Sequence, residues 1–424
     1  MYRAKSLQQK KIGQTIFWGL SAFFFISCAS YTGKTQAGLQ AYEHRDFVKA
    51  EEAYKEGAES DSVDQLLYLF DRGTVLHTEG KYQESIKDFL LADKLSEIKD
   101  YTNLATEVAT IVTNDRIVQY KGEEFENVLV SAYLAMDFML QGKYEDAIVE
   151  CKRVNRKLER LRSEGKRDYR LNAFAQYLSG VLYEKIGNWN SAYVDYRKTY
   201  EIEPNFSFLR QDLIRGALQM DSDSELDRWK RNLNITGQEI RDAKSSLKTA
   251  TLVVILQNGF APEKVVSSVW HELPEYKKRY NRHSAAFVYV DGEKLGSTKI
   301  LYDVEGAAFK NLESKYATYI LKRVAGFAAR EIIGNKVGDA TGSDALGAIT
   351  KMAMFIASKP DLRSWLTLPQ NFQVFRAQVA PGKHHIVLRM MSITNQEEKE
   401  KDLGEIELAH PGSVEILNYR SLND

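Results

Sequence analysis

Two patterns of apolar and polar residues divide the chain near Lys248. Before this point, small and aromatic residues recur at fixed offsets, a pattern typical of helices that pack side by side. After it, short β-branched runs alternate with turn-forming pairs, as where residues 251–257 lead into Asn258-Gly259. The change predicts an α+β protein with a helical N-terminal half and a strand-rich C-terminal half.

One helix-turn-helix pattern occurs four times in the N-terminal half. The clearest copy has Gly180 and Tyr183 in its first helix, Ala192 and Tyr196 in its second, and Pro204 after it. Small residues let two helices touch, aromatic residues fill the adjoining groove, and proline ends a helix because it lacks a donor N–H. The other copies have the same residue types: Gly38, Phe47, Ala50 and Tyr54; Gly73, Tyr82, Ser85, Phe89 and Ala92; Ala135, Tyr144, Ala147 and Cys151.

This pattern resembles the tetratricopeptide repeat, a helix-turn-helix of ~34 residues that stacks into a solenoid. Gly38 and Gly73 are 35 residues apart, whereas Gly73 and Ala135 are 62 apart, which places an insert near residues 94–130. Residues 209–233 are expected to form a helix pair that closes the stack. We therefore predict a tetratricopeptide-repeat solenoid over residues 28–235.

The C-terminal half, residues 248–424, is predicted to be a small β-sandwich-like domain with a helical insertion near residues 307–358. Asp291-Gly292 is a hairpin signal, and residues 299–304 are the candidate partner of residues 286–290. Two further hairpins are expected, through Pro381-Gly382 and through Pro411-Gly412. The first would join residues 372–379 to 384–391, and the second 404–409 to 414–419.

The first 27 residues have the pattern of a signal peptide: a basic head followed by an apolar run over residues 16–26. That run is shorter than the ~20 residues needed to span a bilayer. Cys28, at the end of Phe-Ile-Ser-Cys, resembles the acylated cysteine of a bacterial lipoprotein, which implies lipidation there. The alternatives are a plain signal anchor or an ordinary cleaved signal. Ala29 and Ser30 lack the aspartate typical of inner-membrane retention, which favours an outer-membrane lipoprotein facing the periplasm.

Three segments extend the resemblance over nearly the whole mature chain: residues 120–126, 174–180 and 361–369. They are similar to bacterial envelope lipoproteins with tetratricopeptide repeats, a β-rich C-terminal domain and no assigned activity. The resemblance implies a lipid-anchored scaffold that binds protein or peptide partners. Genes of such lipoproteins often neighbour those of lipoproteins similar to penicillin-binding-protein activators, so a cell-wall assembly factor regulating peptidoglycan synthesis is an alternative.

Composition narrows the possible functions. The chain has 58 basic and 58 acidic residues and no basic block, which argues against a nucleic-acid partner. Its two cysteines provide no disulfide framework once Cys28 is acylated. The seven histidines lack the spacing of a metal site, and no Gly-x-Ser-x-Gly motif occurs. We therefore expect no cofactor, no small-molecule substrate and no enzyme, with an unrecognised envelope hydrolase as the remaining alternative.

Repeat stacks bind partners in a concave groove formed by their first helices. The candidate groove residues are Tyr68, Asp71, Arg72, Tyr133, Asp137, Tyr177 and Glu184. A second candidate surface is the segment between Pro360 and Pro369, where Arg363 and Trp365 are residue types enriched at binding hot spots. The alternative is that Trp365 packs over the sheet. The expected partners are envelope proteins or peptides, and the membrane through the N-terminal lipid.

Overall fold

The computed structural model describes residues 31–100, 119–163, 172–270, 273–341, 344, 346–347, 360–394 and 396–423. Cys28 and the signal segment lie outside these ranges, as do residues 101–118 of the insert near residues 94–130. The helices are α1 (Tyr31–Glu43), α2 (Phe47–Glu59), α3 (Gln65–Glu79), α4 (Tyr82–Asp100), α5 (Glu124–Leu140), α6 (Tyr144–Ser163), α7 (Ala173–Lys185), α8 (Trp189–Ile202), α9 (Leu209–Gln219), α10 (Asp223–Leu233), α11 (Gly237–Ser246) and α12 (Val304–Thr341).

The first ten helices form five helix-turn-helix pairs whose contacts follow the repeat pattern. A Cβ added to Gly180 would lie 2.7 Å from the Tyr196 ring, and one added to Gly73 would lie 2.8 Å from Phe89. Such approaches are closer than packed side chains allow, so glycine is required where the paired helices touch. In the third pair the small first-helix residue is Ala135, and Cys151 takes the place of the aromatic residue in a buried position.

The strands are β1 (Ala250–Asn258), β2 (Glu263–Val266), β3 (Pro274–Lys277), β4 (His283–Val290), β5 (Glu293–Ser297), β6 (Lys299–Asp303), β7 (Asn371–Val379), β8 (Gly382–Ser392), β9 (Glu397–Leu408) and β10 (Val414–Arg420). One four-stranded sheet has the order β10-β1-β7-β6 and the other the order β5-β4-β8-β9, while β2 and β3 form a separate hairpin. The two larger sheets share an apolar core that includes Leu252, Val254, Val288 and Leu388. The chain is thus α+β, with the sheets in its C-terminal half.

The strand pairing corrects three sequence predictions. Asp291-Gly292 does form a hairpin turn, but it joins β4 to β5, while β6 pairs with β7 in the other sheet. The predicted hairpins at Pro381-Gly382 and Pro411-Gly412 are wrong, because each connection crosses between the sheets. Two-residue hairpins favour positive φ at the first turn position, which Asp291 adopts at 52° and which a proline ring forbids.

The sheet β10-β1-β7-β6 is buried on both faces. Along β1, Leu252 and Val254 face the other sheet, whereas Val253 and Ile255 pack into the core of the helical half. Every residue of β1 is buried as a result, so the two halves of the chain share one continuous interior. Among the described residues, no helix is long and apolar enough to cross a membrane.

Candidate functional site

The groove of the helical repeats is occupied by the chain's own segment 361–369. Trp365 is only 2% exposed. Its ring stacks on Phe70 with centroids 4.5 Å apart, and the rings of Phe89 and Tyr133 lie 5.6 and 5.4 Å away. The indole Nε1 donates to the Thr74 hydroxyl at 2.9 Å. The slot thus satisfies both the apolar surface and the polar atom of the indole.

Two buried carboxylates of the repeats hold the backbone on either side of Trp365. The Trp365 N–H donates to Glu126 at 2.8 Å. The Thr367 N–H and hydroxyl donate to one oxygen of Asp71 at 2.9 and 2.7 Å, and the Tyr31 hydroxyl donates to the other. Burial raises the pKa of Asp71 to about 6, although these hydrogen bonds oppose the shift. The groove therefore recognises the main chain of this segment as well as its side chains.

Arg363 fastens the start of the same segment. Its guanidinium pairs with Asp64 just before α3 at 2.9 Å and with its neighbour Asp361 at 2.7 Å. It also lies over the ring of Tyr120, 5.2 Å from the ring centroid. Planar guanidinium groups suit both contacts. The charged and the aromatic residue of the predicted docking segment are therefore both used within the chain.

A second set of contacts joins α7 and α9 to the sheet. Arg376 of β7 donates to both oxygens of Glu184, at 2.7 and 2.6 Å, and lies 3.0 Å from Asp212. Arg215 and the Tyr196 hydroxyl also donate to Glu184. Burial alone would raise the pKa of Glu184, but Arg376 and Arg215 lower it to about 2. The cluster thus keeps a buried charge compensated across the interface.

Between these two regions lies a polar cluster around His77. The His77 ring meets Asp137 through Nδ1 at 2.6 Å and the Gln257 amide nitrogen through Nε2 at 2.7 Å. Because that amide nitrogen can only donate, Nδ1 carries the proton given to Asp137. Ser85 donates to Asp137 rather than to His77. The arrangement is thus not that of a serine nucleophile activated by a histidine.

A third buried cation–carboxylate cluster lies at the start of α5. Glu123 pairs with Lys264 of β2 and, at 2.7 Å, with Lys315 of α12, while Asn311 donates to it at 2.6 Å. Burial raises the pKa of Glu123, but the two ammonium groups hold it below its usual range. Glu123 also caps the helix through its interaction with Glu126. The cluster ties the hairpin β2–β3 and α12 to one end of the repeat stack.

The structure places most of the sequence-predicted groove residues at this internal interface. Tyr133 donates to Gln257 of β1, Glu184 binds Arg376, and Tyr177 donates to Asp212 beside that pair. Tyr68 is half-buried, and Arg72 pairs within the helical half with Asp88 of α4 and Glu59 of α2. The role of these positions in partner binding stays a prediction.

Sequence reasoning missed the residues of the C-terminal half that complete the interface. Arg376 and Gln378 share a face of β7 with Phe372 and Val374, which pack against the helical half. A charged residue on an otherwise apolar strand face was the available signal, because such a residue must find a partner when buried. Its partner Glu184 is 192 positions away, and no local pattern connects the two.

A separate cleft of about 1050 Å³ lies open to solvent between α6 and α8. Val149, which is 53% exposed, forms part of it. Its charged lining consists of the cations Lys152, Arg156, Arg162 and Lys198 and the anions Glu159, Asp195, Glu201 and Glu203. Within the described residues, no group of three or more His, Cys, Asp or Glu side chains could hold a metal ion.

Comparisons with solved structures find similarity over about half of the chain. The crystal structure of MamA is 15% identical, covers 50% of this chain and 91% of its own, and has a TM-score of 0.33. A tetratricopeptide repeat protein from Parabacteroides merdae ATCC 43184 is 16% identical over 50% of this chain and 70% of its own, with a TM-score of 0.32. BtubC from P. vanneervenii is 18% identical over 48% and 77%, also at 0.32. These scores are too low to transfer a fold or a function.

No family model matches the sequence, and the search of curated proteins gives no match.

Proposed function

We propose that the protein is a lipid-anchored scaffold of the bacterial envelope that binds protein or peptide partners through its helical repeats. The proposal is supported by the difference between two parts of the repeat surface. The concave groove is filled by residues 361–369, with Trp365 buried, whereas the cleft between α6 and α8 remains open. Partners therefore bind at the cleft, while the groove fixes the C-terminal half on the stack.

The lining of the cleft indicates the chemistry of the partner. Four cations and four anions line the cleft together with the apolar residues Val149 and Ile202. Such a surface suits a polypeptide segment with charges of both signs, because each charged group of the segment finds an opposite partner. A uniformly charged polymer would meet like charges at half of these positions.

Site-specific photo-crosslinking in intact envelopes tests the cleft. A photoreactive phenylalanine at Val149 should capture a discrete protein, and Lys198→Glu in the same chain should reduce that capture. The matched control places the photoreactive group at Val48 of α2, which is 69% exposed and lies outside the cleft. Equal capture from both positions, or capture that ignores Lys198→Glu, would contradict the proposal.

Acylation of Cys28 is a separate part of the proposed function. Each buried CH₂ of an acyl chain contributes about 0.8 kcal/mol to membrane binding, so two or three chains give a lasting anchor. Metabolic labelling with a clickable palmitate should mark the wild-type chain and not Cys28→Ala. A Cys28→Ala chain that is still labelled and still sediments with membranes would show that Cys28 is not the anchor.

A further inference from the structure

An apolar surface protrudes at the tip of the hairpin β2–β3. Val269 is 75% exposed, Trp270 is 67% exposed, and Val266 at the end of β2 is 42% exposed. Single exposed apolar side chains are common on proteins. Three of them within five residues, including a tryptophan, indicate an interaction surface.

Helix α12 extends this surface. Its Glu305 pairs with Lys278 at 2.6 Å, and the ring of Phe309 packs on Tyr276. Further along, the Tyr316 hydroxyl donates to the carbonyl of Pro274 at 3.0 Å. The helix therefore runs beside β3 in the opposite direction, towards the tip of the hairpin.

The turn of α12 after Tyr316 reaches the level of that tip. Ile320 and Leu321 are 49% and 70% exposed. We call Val266, Val269, Trp270, Ile320 and Leu321 together the tip surface. Its five members come from the tip of the hairpin and from the helix that packs beside β3.

The tip surface lies on the side of the stack where the first helices of the repeats begin, at their N-terminal ends. The first helices of successive repeats run parallel, and Tyr31 at the start of α1 packs on Tyr68 in the first turn of α3. Glu123, at the start of α5 and so at the same end, binds Lys264 of β2 and Lys315 of α12. Cys28 is three residues before Tyr31, a span of at most about 10 Å of chain.

We propose that the tip surface inserts into the interface of the lipid bilayer next to the acyl chains on Cys28. This inference rests on the lipid anchoring proposed above, which would bring a bilayer to this end of the molecule. Tryptophan and branched aliphatic side chains favour the boundary between head groups and acyl chains. Lys277, the last residue of β3, and Lys278, which follows it, are exposed behind the tip. Anionic head groups would meet their ammonium groups there.

The consequence is a second point of attachment. Acyl chains on Cys28 would hold the protein near the membrane through one point of the chain. Insertion of the tip surface adds a contact on the folded body and so sets the direction in which the repeat stack and its cleft face. Charged substitutions at the tip should therefore weaken vesicle binding even in a chain that carries no lipid.

Vesicle flotation of the mature chain, residues 28–424 with Cys28→Ser, tests this directly, using vesicles of phosphatidylethanolamine and phosphatidylglycerol, because the apolar run over residues 16–26 and its Trp18 are then absent. Val269→Asp should lower the partition coefficient by about tenfold, because it removes apolar burial and adds a charge. The matched control is Val48→Asp at the start of α2, which is 69% exposed and lies at the opposite end of the stack because α2 runs antiparallel to α1. It should leave binding unchanged. Melting of both variants confirms that each remains folded.

Fluorescence adds a second readout. Brominated lipids should quench part of the tryptophan emission of the Cys28→Ser chain, and Trp270→Phe should abolish that quenching. No binding of the Cys28→Ser chain, or equal losses for Val269→Asp and Val48→Asp, would overturn the proposal. A loss of protein capture by Val269→Asp without vesicle binding would overturn it in favour of a protein partner. Palmitate labelling of the wild-type chain reports on the anchor independently of these outcomes.

Discussion

At the residue scale, two tryptophans that look alike in the sequence have opposite environments. Trp365 and Trp270 both lie near a proline and a charged residue. Trp365 fills an aromatic slot in the repeat groove, whereas Trp270 projects from a hairpin tip. The difference arises because residues 361–369 meet Asp71, Glu126 and Asp64 of the helical half, while the tip of β2–β3 extends beyond it. The pair provides a matched test of how much the groove contributes to stability.

Trp365→Ala should lower the free energy of unfolding by about 3–5 kcal/mol, because it leaves a cavity among packed rings. Trp270→Ala removes the same atoms from a largely exposed site and should change stability by less than about 0.5 kcal/mol. Urea unfolding of both variants measures the difference. Similar losses for the two variants would mean that the Trp365 slot contributes little to the native state.

Asp71 should make stability depend on pH near neutrality. Its folded pKa, about 6, is raised above the unfolded value of 3.8 chiefly by burial. The protonated Asp71 carboxyl therefore stabilises the folded chain fully below pH 3.8. This stabilisation is lost as pH rises through about 6. Relative to Asp71→Asn, the wild-type chain should lose about 2–3 kcal/mol of unfolding free energy between pH 4 and pH 7.

Urea unfolding at a series of pH values measures this effect. The exposed Asp242→Asn on α11 makes the same chemical exchange at the surface and should keep the wild-type profile. A wild-type profile parallel to that of Asp71→Asn would show that the pKa of Asp71 is the same in the folded and the unfolded chain.

At the scale of elements, the helical half was predictable because its pattern is local. Gly38, Gly73 and Gly180 each face the residue that the repeat spacing assigns to them. The sequence also predicts the strands, but it does not predict how they pair. A Pro-Gly pair between two strands signals a change of direction, and it does not say whether the second strand stays in the same sheet. That choice depends on which sheet edges are free, which is a property of the assembled domain.

Gly180→Ala tests the repeat packing with the smallest possible change. Its Cβ would lie 2.7 Å from Tyr196, so we expect a loss of about 1–3 kcal/mol from overpacking. Gly237→Ala in α11 is the matched control, because its Cβ would meet only Arg241, at 3.6 Å. It should be neutral or slightly stabilising. Thermal melting compares the two, and equal melting temperatures would place Gly180 outside a helix contact.

At the scale of the whole molecule, the repeats and one face of the sheets share a single buried core. The helical half supplies Glu184 and Asp212, and the sheet supplies Arg376, with side chains no more than 3% exposed. In the sequence, Glu184 and Asp212 are charges on amphipathic helices, and Arg376 is a charge on an otherwise apolar strand face with no identifiable partner. Their burial follows from docking two halves far apart in the chain, which local patterning cannot reveal.

The Arg376–Glu184 pair allows the coupling of the two halves to be measured. Arg376→Met removes the nearer cation from buried Asp212 and Glu184 and leaves Arg215, which lies 3.9 Å from Asp212 and 3.0 Å from Glu184, so it should cost about 3–5 kcal/mol. Glu184→Gln in the same chain should recover part of that loss, giving a coupling energy of about 1–3 kcal/mol in a double-mutant cycle. The exposed pair Arg389–Glu400 serves as the control and should show a coupling near the limit of measurement.

Hydrogen exchange should rise in α7 and in β7 together in Arg376→Met. Faster exchange confined to one of these elements would show that the two halves open independently.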